Sequence, residues 1–374
     1  MPSSENHLNI IAFDVPYPPN YGGVIDIFYK AKALADAGIR IHLHCFAYGR
    51  HLSDEMQKTC AEVYYYPRKT TKSLLFNSLP YIVLSRESEE LKKNLLKNDY
   101  PILMEGLHDT FLLSDIDFSN RKKIVRTHNI EHEYYENLAK AEKNIFKRYY
   151  YYNEAGKLRK YESVLKKASC IAAISPNDTK YFSTQFKDVI YLPAFHPDES
   201  ITSQVGNGNY AFYHGNLAVA ENNEAALFLV RKVFNDLDYP LIIAGSKPSS
   251  ELISEVGSRN NIKIKDDLTP AQIHEYIRNA QCNVLPTFQS TGIKLKLLAA
   301  LFAGRFCIVN KPMVVNTGLE ELCIVADTAD EMKKRIIEIS EKSFPEREIK
   351  NRTETLFVNF SNTKNAEKLI DKLF

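Results

Sequence analysis

No two cysteines in this chain of 374 residues stand as Cys-x-x-Cys, no apolar run reaches the roughly 18 residues a membrane span requires, and neither sign of charge prevails. Each absence excludes something. The six cysteines (Cys45, Cys60, Cys170, Cys282, Cys307 and Cys323) are far apart, and four of them sit inside apolar runs, so reduced, buried thiols in a cytosolic protein are the simplest reading. With 48 basic and 46 acidic residues the net charge is +2, too little for a global field that gathers nucleic acid, and none is expected as a partner. The segment Met1 to His7 lacks the basic region and apolar core of a signal peptide, so a cytoplasmic location is expected, with peripheral attachment to the inner face of the membrane left open.

What is present is an alternation of strand-like and helix-like runs. A hydrophobic fraction of 44% and a charged fraction of 25% are those of an ordinary globular protein, which excludes disorder of the whole chain. Its length exceeds what one core serves, so two domains of roughly 150 to 200 residues are expected. Strands are expected at residues 8–14, 40–46, 62–66, 101–105, 123–127 and 169–175, then at 210–214, 241–244, 262–264, 282–285 and 306–309. Alternation of this kind predicts α/β architecture with two parallel sheets. The stretch from His196 to Asn209, with Pro197, Gly206 and Gly208 and no apolar periodicity, is the linker. The domains are therefore expected at 1–198 and 209–355. A terminal segment, 356–374, carries Ala366, Leu369, Ile370 and Leu373 at helical spacing.

Two loops between a strand and a helix offer the chemistry of anion binding. In the first, Pro16 to Gly23, the pair Gly22-Gly23 stands where a helix striped by Val24, Ile27, Phe28, Ala31 and Leu34 begins. Free amides and the positive end of the helix dipole favour an anion there; a tight turn would equally require glycine. In the second, Phe288 to Lys296, Gly292 precedes a helix whose start carries Lys294 and Lys296, so dipole and ammonium groups would act together on a diphosphate. Between strand and helix elsewhere lie Gly215 and Asn216, with Asn222 on the helix that follows.

Glu105, His108 and His128 fall at or just beyond the ends of neighbouring strands, where imidazole and carboxylate permit acid–base work; alternatively His128 caps the next helix and Glu105 pairs with an arginine. His128 and His132 are four apart, but the order His-Asn-Ile-Glu-His is not that of a zinc protease, and no metal is expected. From Lys140 to Lys167 basic residues far outnumber acidic ones around Tyr149 to Tyr152. Such a helix can lie on an anionic membrane surface, or it can turn its tyrosines inward beneath lysine stems.

Taken in order, these features resemble retaining glycosyltransferases of the GT-B architecture, the nucleotide-sugar-dependent family that builds bacterial surface polysaccharides. The residues that carry the resemblance are the Pro-Pro-x-x-Gly-Gly loop, His128, Ser175 with Asp178, Gly215-Asn216-Leu217 with Asn222, Gly245, and Gly292-x-Lys-x-Lys followed by Gly304. The resemblance implies two Rossmann-like domains facing an inter-domain cleft, the donor on the second domain, the acceptor on the first, and a last helix crossing back to the first. It further implies a hexosyltransferase-like enzyme that works without metal or cofactor, on a nucleotide-diphosphate sugar and a saccharide or lipid-linked acceptor. His128 and Glu105 would serve the reacting centre; Gly22, Gly23, Gly215, Asn216, Asn222, Thr291, Gly292, Lys294 and Lys296 would bind substrate. The chain departs from the family where Asn216 and Glu221 replace an arginine and a lysine, and where Thr291 and Ala299 replace paired glutamates. Those departures leave two alternatives: a catalytically silent GT-B scaffold of a polysaccharide assembly complex, and a nucleotide-sugar epimerase.

Overall fold

The computed structural model describes residues 6–288 and 294–374. The chain forms two compact units, Met1–Pro197 with Phe360–Phe374, and Asp198–Asn359. In the first unit β1 (His7–Ala12), β2 (Arg40–Ala47), β3 (Glu62–Pro67), β4 (Ile102–Glu105), β5 (Lys123–Thr127), β6 (Cys170–Ala173) and β7 (Val189–Tyr191) make one sheet, ordered β3-β2-β1-β4-β5-β6-β7. All its pairings are parallel. Parallel strands covered on both faces are largely apolar. In β1, Leu8, Ile10 and Ala12 enter the core on one side and Ile11 the core on the other, as a period of two demands, while the buried Asn9 hydrogen-bonds to Asn98 and His44.

The first of these cores gathers Ile27, Ala31 and Leu34 of the opening helix and, from the far end of the chain, Ala366, Leu369 and Leu373 of the helix Asn362–Leu373. Lys372 of that helix reaches Asp188 at 2.9 Å. Replacing the fully buried Leu369 by alanine is expected to lower the stability of this unit by about 2–5 kcal/mol. The readout is a lower denaturant midpoint at unchanged slope; an unmoved midpoint would detach the helix from this core.

The second unit holds β8 (Ala211–His214), β9 (Leu241–Ala244), β10 (Ile262–Lys265), β11 (Cys282–Leu285), β12 (Phe306–Val309) and β13 (Ile324–Val325), ordered β10-β9-β8-β11-β12-β13 and again parallel. Strand order reverses between β1 and β4 in one sheet and between β8 and β11 in the other. Loops leaving the carboxyl ends of strands at such a reversal diverge and leave room for a ligand. The reversals thus select the Gly22-Gly23 loop with Glu105, and the Gly215 loop with the segment before Leu295.

Three sequence expectations need correction. β7 and β13 were not anticipated, because Val189–Tyr191 and Ile324–Val325, though apolar, are edge strands of three and two residues, too short to show a strand periodicity. The helix expected to carry Asn222 begins at Ala220, and its last turn, Leu229–Val233, widens to π geometry. The basic stretch is not one helix: it breaks at Glu142–Asn144 between Glu131–Ala141 and Ile145–Tyr161, where Asn144 caps the second helix by accepting from the amides of Phe146 and Lys147.

Candidate functional site

At the β1/β4 reversal the structure assembles a buried ionic network. Glu105 closes β4, and Gly106 turns the chain at φ +78°, where a Cβ would also meet the His108 ring at 2.7 Å. Lys30 donates to Asp26 at 2.8 Å and sits 2.8 and 3.0 Å from the two Glu105 oxygens. Arg126 grips Asp26 through two 3.1 Å contacts and also donates to the carbonyls of Leu192 and Pro193. Asp26, Lys30, Glu105 and Arg126 are all inaccessible to solvent. Burial alone would raise the Asp26 carboxyl, but Arg126 and Lys30 hold it well below the usual carboxylate range. Two carboxylates thus meet two cations.

His128 lies 3.1 Å through Nε2 from Glu105. Ion-paired with Lys30, Glu105 can only accept, so Nε2 carries the hydrogen and Nδ1 is left as the nitrogen able to take a proton. Asp26, Glu105 and His128 come near enough to share an ion. The Lys30 ammonium already bridges the two carboxylates, however, so this donor set fits a lysine rather than a metal.

The alternatives open at the sequence level resolve differently. Glu105 pairs with a lysine, not an arginine, and the helix Glu131–Ala141 starts after Ile130 without a side-chain cap, so His128 is no cap. His132 turns to Glu162 at 3.3 Å and shares no site with His128. Gly22 and Gly23 open the helix Gly22–Asp36, which has no acidic residue in its first turn. Neither has positive φ. A Cβ on Gly23 would strike the Phe13 ring at 2.6 Å, whereas Gly22 faces open space. Phe13 in turn meets the His128 ring edge-on at 5.4 Å and the His108 ring at 5.2 Å, which links the glycine loop to the histidines.

Sequence reasoning missed Asp26, Lys30 and Arg126. A signal existed: Asp26 and Lys30, four apart, fall on the apolar face of the opening helix, and Arg126 interrupts an apolar strand, placements that charged residues take only when paired. It also missed Arg86, Asp109 and Glu131, clustered beyond β4 and β5. Arg86 is 3.6 Å from Asp109 and His108 is 3.9 Å from Glu131. Burial pushes the Asp109 carboxyl up and the Glu131 carboxyl up to about 7, while burial, then Arg86, push His108 down. Both Asp109 oxygens, Glu131 Oε1 and His108 Nδ1 are buried without a hydrogen-bond partner among the described residues, although Asp109 lies beside Arg86 and Glu131 beside His108.

At the β8/β11 reversal, Lys294 precedes the helix Leu295–Ala303 and Lys296 lies in its first turn. Their partners differ in charge. Lys294 is 3.1 Å from Glu221, whose carboxylate also accepts from Thr287, so its positive charge is neutralised locally. Lys296 donates to the neutral amide of Asn222 at 2.6 Å, stands 5.2 Å from the Tyr213 ring centre, and is pushed down to about 8 by burial. Asn216 accepts from the amide of Ala218 at 3.1 Å and accepts the Asn222 amide on its carbonyl at 3.0 Å; Gly215 packs against Asn222. Ser175 caps its helix by accepting from the amide of Asp178. Thr291 and Gly292 lie outside the described residues.

Comparison with known proteins adds three findings. Residues 208–342 match the family model described as glycosyl transferases group 1. A Klebsiella pneumoniae protein, described as an uncharacterized 44.6 kDa protein in the cps region, is 27% identical over 354 residues, which cover 88% of this chain and 90% of that one. Among solved structures, TarM superposes with a TM-score of 0.70 at 10% identity, covering 100% of this chain and 99% of that one. HepE from Anabaena, in complex with UDP and glucose, does so with 0.68 at 12% identity, covering 98% of each. At such identities the structural likeness establishes the fold.

Proposed function

We propose that this chain, whose residues 208–342 match the glycosyl transferases group 1 model and whose fold is that of solved GT-B structures, is a glycosyltransferase that moves a sugar from a nucleotide diphosphate to a saccharide or lipid-linked acceptor, with retention of configuration. We place the reaction in cell-surface polysaccharide synthesis and assign it neither metal nor cofactor. The observation that carries the proposal is Lys296: a half-buried ammonium held to a neutral partner in the first turn of a helix, at the strand reversal of its sheet. Negative charge accumulates on the departing diphosphate, and preorganised donors aimed at it lower the barrier. Solved relatives of the fold support a UDP donor: HepE is described with UDP and glucose, and S. aureus TarM with UDP, fondaparinux and alpha-GlcNAc-glycerol. The cps-region relative supports a role in polysaccharide assembly.

On this reading Lys296, not Lys294, supplies the charge that the family's arginine and lysine supply elsewhere, because Glu221 neutralises Lys294. Gly22, Gly23, Gly215, Asn216, Asn222, Thr291 and Gly292 remain in the substrate assignment. Lys296→Ala is expected to weaken binding of the preferred nucleotide sugar by about tenfold to a hundredfold, the 1.5–3 kcal/mol of a charge-assisted hydrogen bond. The wild-type affinity should also fall with pH. A lysine titrating at about 8 in the free protein is charged below that pH. Bound phosphate raises its pKa again, so binding takes up a proton above pH 8 and weakens by up to tenfold per unit. Titration calorimetry across that range tests both points, and an affinity indifferent to pH and to the substitution would remove Lys296 from the donor site. An epimerase would convert the donor without any acceptor, and a silent scaffold would bind no nucleotide at all.

A further inference from the structure

The helix pair Glu131–Ala141 and Ile145–Tyr161 presents an apolar tip ringed by positive charge, and we infer that this tip inserts into the headgroup region of an anionic lipid bilayer. The inference uses residues of the first unit alone and stands whether or not the transferase reading holds.

The four tyrosines expected to act together divide. Tyr151 faces Tyr135 of the neighbouring helix at 6.0 Å and touches Tyr150 at 5.4 Å, so these two are packed inward. Tyr149 and Tyr152 point the other way, 75% and 48% exposed. Ile145, Tyr149, Tyr152 and Gly156 recur at helical spacing on the face opposite the buried Glu154, Ala155 and Leu158. Phe146, at 86%, and Ile145, at 68%, crown the turn. Phe76, 91% exposed, flanks the same helix, since its neighbour Leu75 accepts from Lys157 at 2.8 Å.

An outer stripe of isoleucine, phenylalanine and tyrosine is the reverse of what a solvated helix presents. The charges around it select the occupant. Lys140, Lys143, Lys147 and Arg148 surround the turn against Glu142 alone, and all four are exposed. Amphipathic rings at headgroup depth with basic side chains beside them are complementary to acidic lipid. A second protein copy would disfavour so much like charge at the centre of its interface. Nucleic acid would use the cations and leave Ile145 and Phe146 without purpose.

Full-length protein is sedimented with phosphatidylcholine vesicles and with vesicles that also contain phosphatidylglycerol. Binding is expected to the second only, weakened by salt. Ile145→Ser with Phe146→Ser should lower the partition coefficient by about tenfold or more. Lys143→Gln with Lys147→Gln should lower it by roughly fivefold per lysine. The side chains are exposed, so far-UV circular dichroism and unfolding midpoints should match wild type. The inference is overturned if wild type ignores the phosphatidylglycerol vesicles, if both double variants bind them as wild type does, or if the serine variant keeps full lipid binding while the glutamine variant loses binding to a single-stranded RNA.

Discussion

His128→Ala is expected to lower kcat by about 10²–10⁴-fold, the contribution of a positioned acid or base, while the dissociation constant for the donor changes by less than about twofold. The split follows from position. His128 follows β5 in the first unit, whereas Lys296 belongs to the second unit, so removing the imidazole leaves the proposed contact of Lys296 with the diphosphate untouched. Glu105→Gln should reproduce part of the loss. An amide in place of the carboxylate can donate to Nε2, and the imidazole then no longer has to keep its hydrogen there and its free lone pair on Nδ1. Single-turnover kinetics with saturating donor, beside equilibrium binding, separates the two effects. Full activity in His128→Ala would return Glu105 and His128 to a purely structural part.

The second large effect is on folding. Lys30→Met should cost about 3–5 kcal/mol, because Asp26 and Glu105 would face each other without the ammonium that now lies within 3.0 Å of both. The double variant Lys30→Met with Glu105→Gln is expected to recover most of that loss. Breaking a buried ion pair leaves an uncompensated charge, whereas replacing both members by neutral groups of similar volume does not. Activity is not expected to return with stability, since the double variant still lacks the carboxylate that holds His128. Denaturant unfolding and kcat measured on the same three proteins test this. If the double variant is no more stable than Lys30→Met alone, the lysine's role is not to balance Glu105.

Much of the architecture was legible in residues read singly. β5 and β11 fall where they were expected, since Ile124-Val125 and Val284-Leu285 are apolar at consecutive positions as strands covered on both faces require, even though Arg126 and Asn283 are buried beside them. The opening helix was legible for the opposite reason, one apolar stripe against a polar remainder. Glu105 and His128 were legible as candidates because they terminate strands. The chemistry of their neighbours was not: whether Glu105 meets an arginine, a lysine or a histidine depends on which helix crosses the sheet at that height. Lys30 comes from 75 positions earlier in the chain.

Composition, periodicity and chain order by themselves determined two parallel α/β sheets, the loops at their carboxyl ends and a terminal helix, because these depend on local spacing and on burying apolar faces. Only the tertiary structure decided that Lys294 is neutralised by Glu221 while Lys296 faces an amide, that Tyr149 and Tyr152 turn outward, and that Asp26 and Lys30 form a closed ionic network with Glu105 and Arg126. Charge compensation and side-chain direction are set by contacts between residues distant in sequence, and a linear spacing carries no record of those.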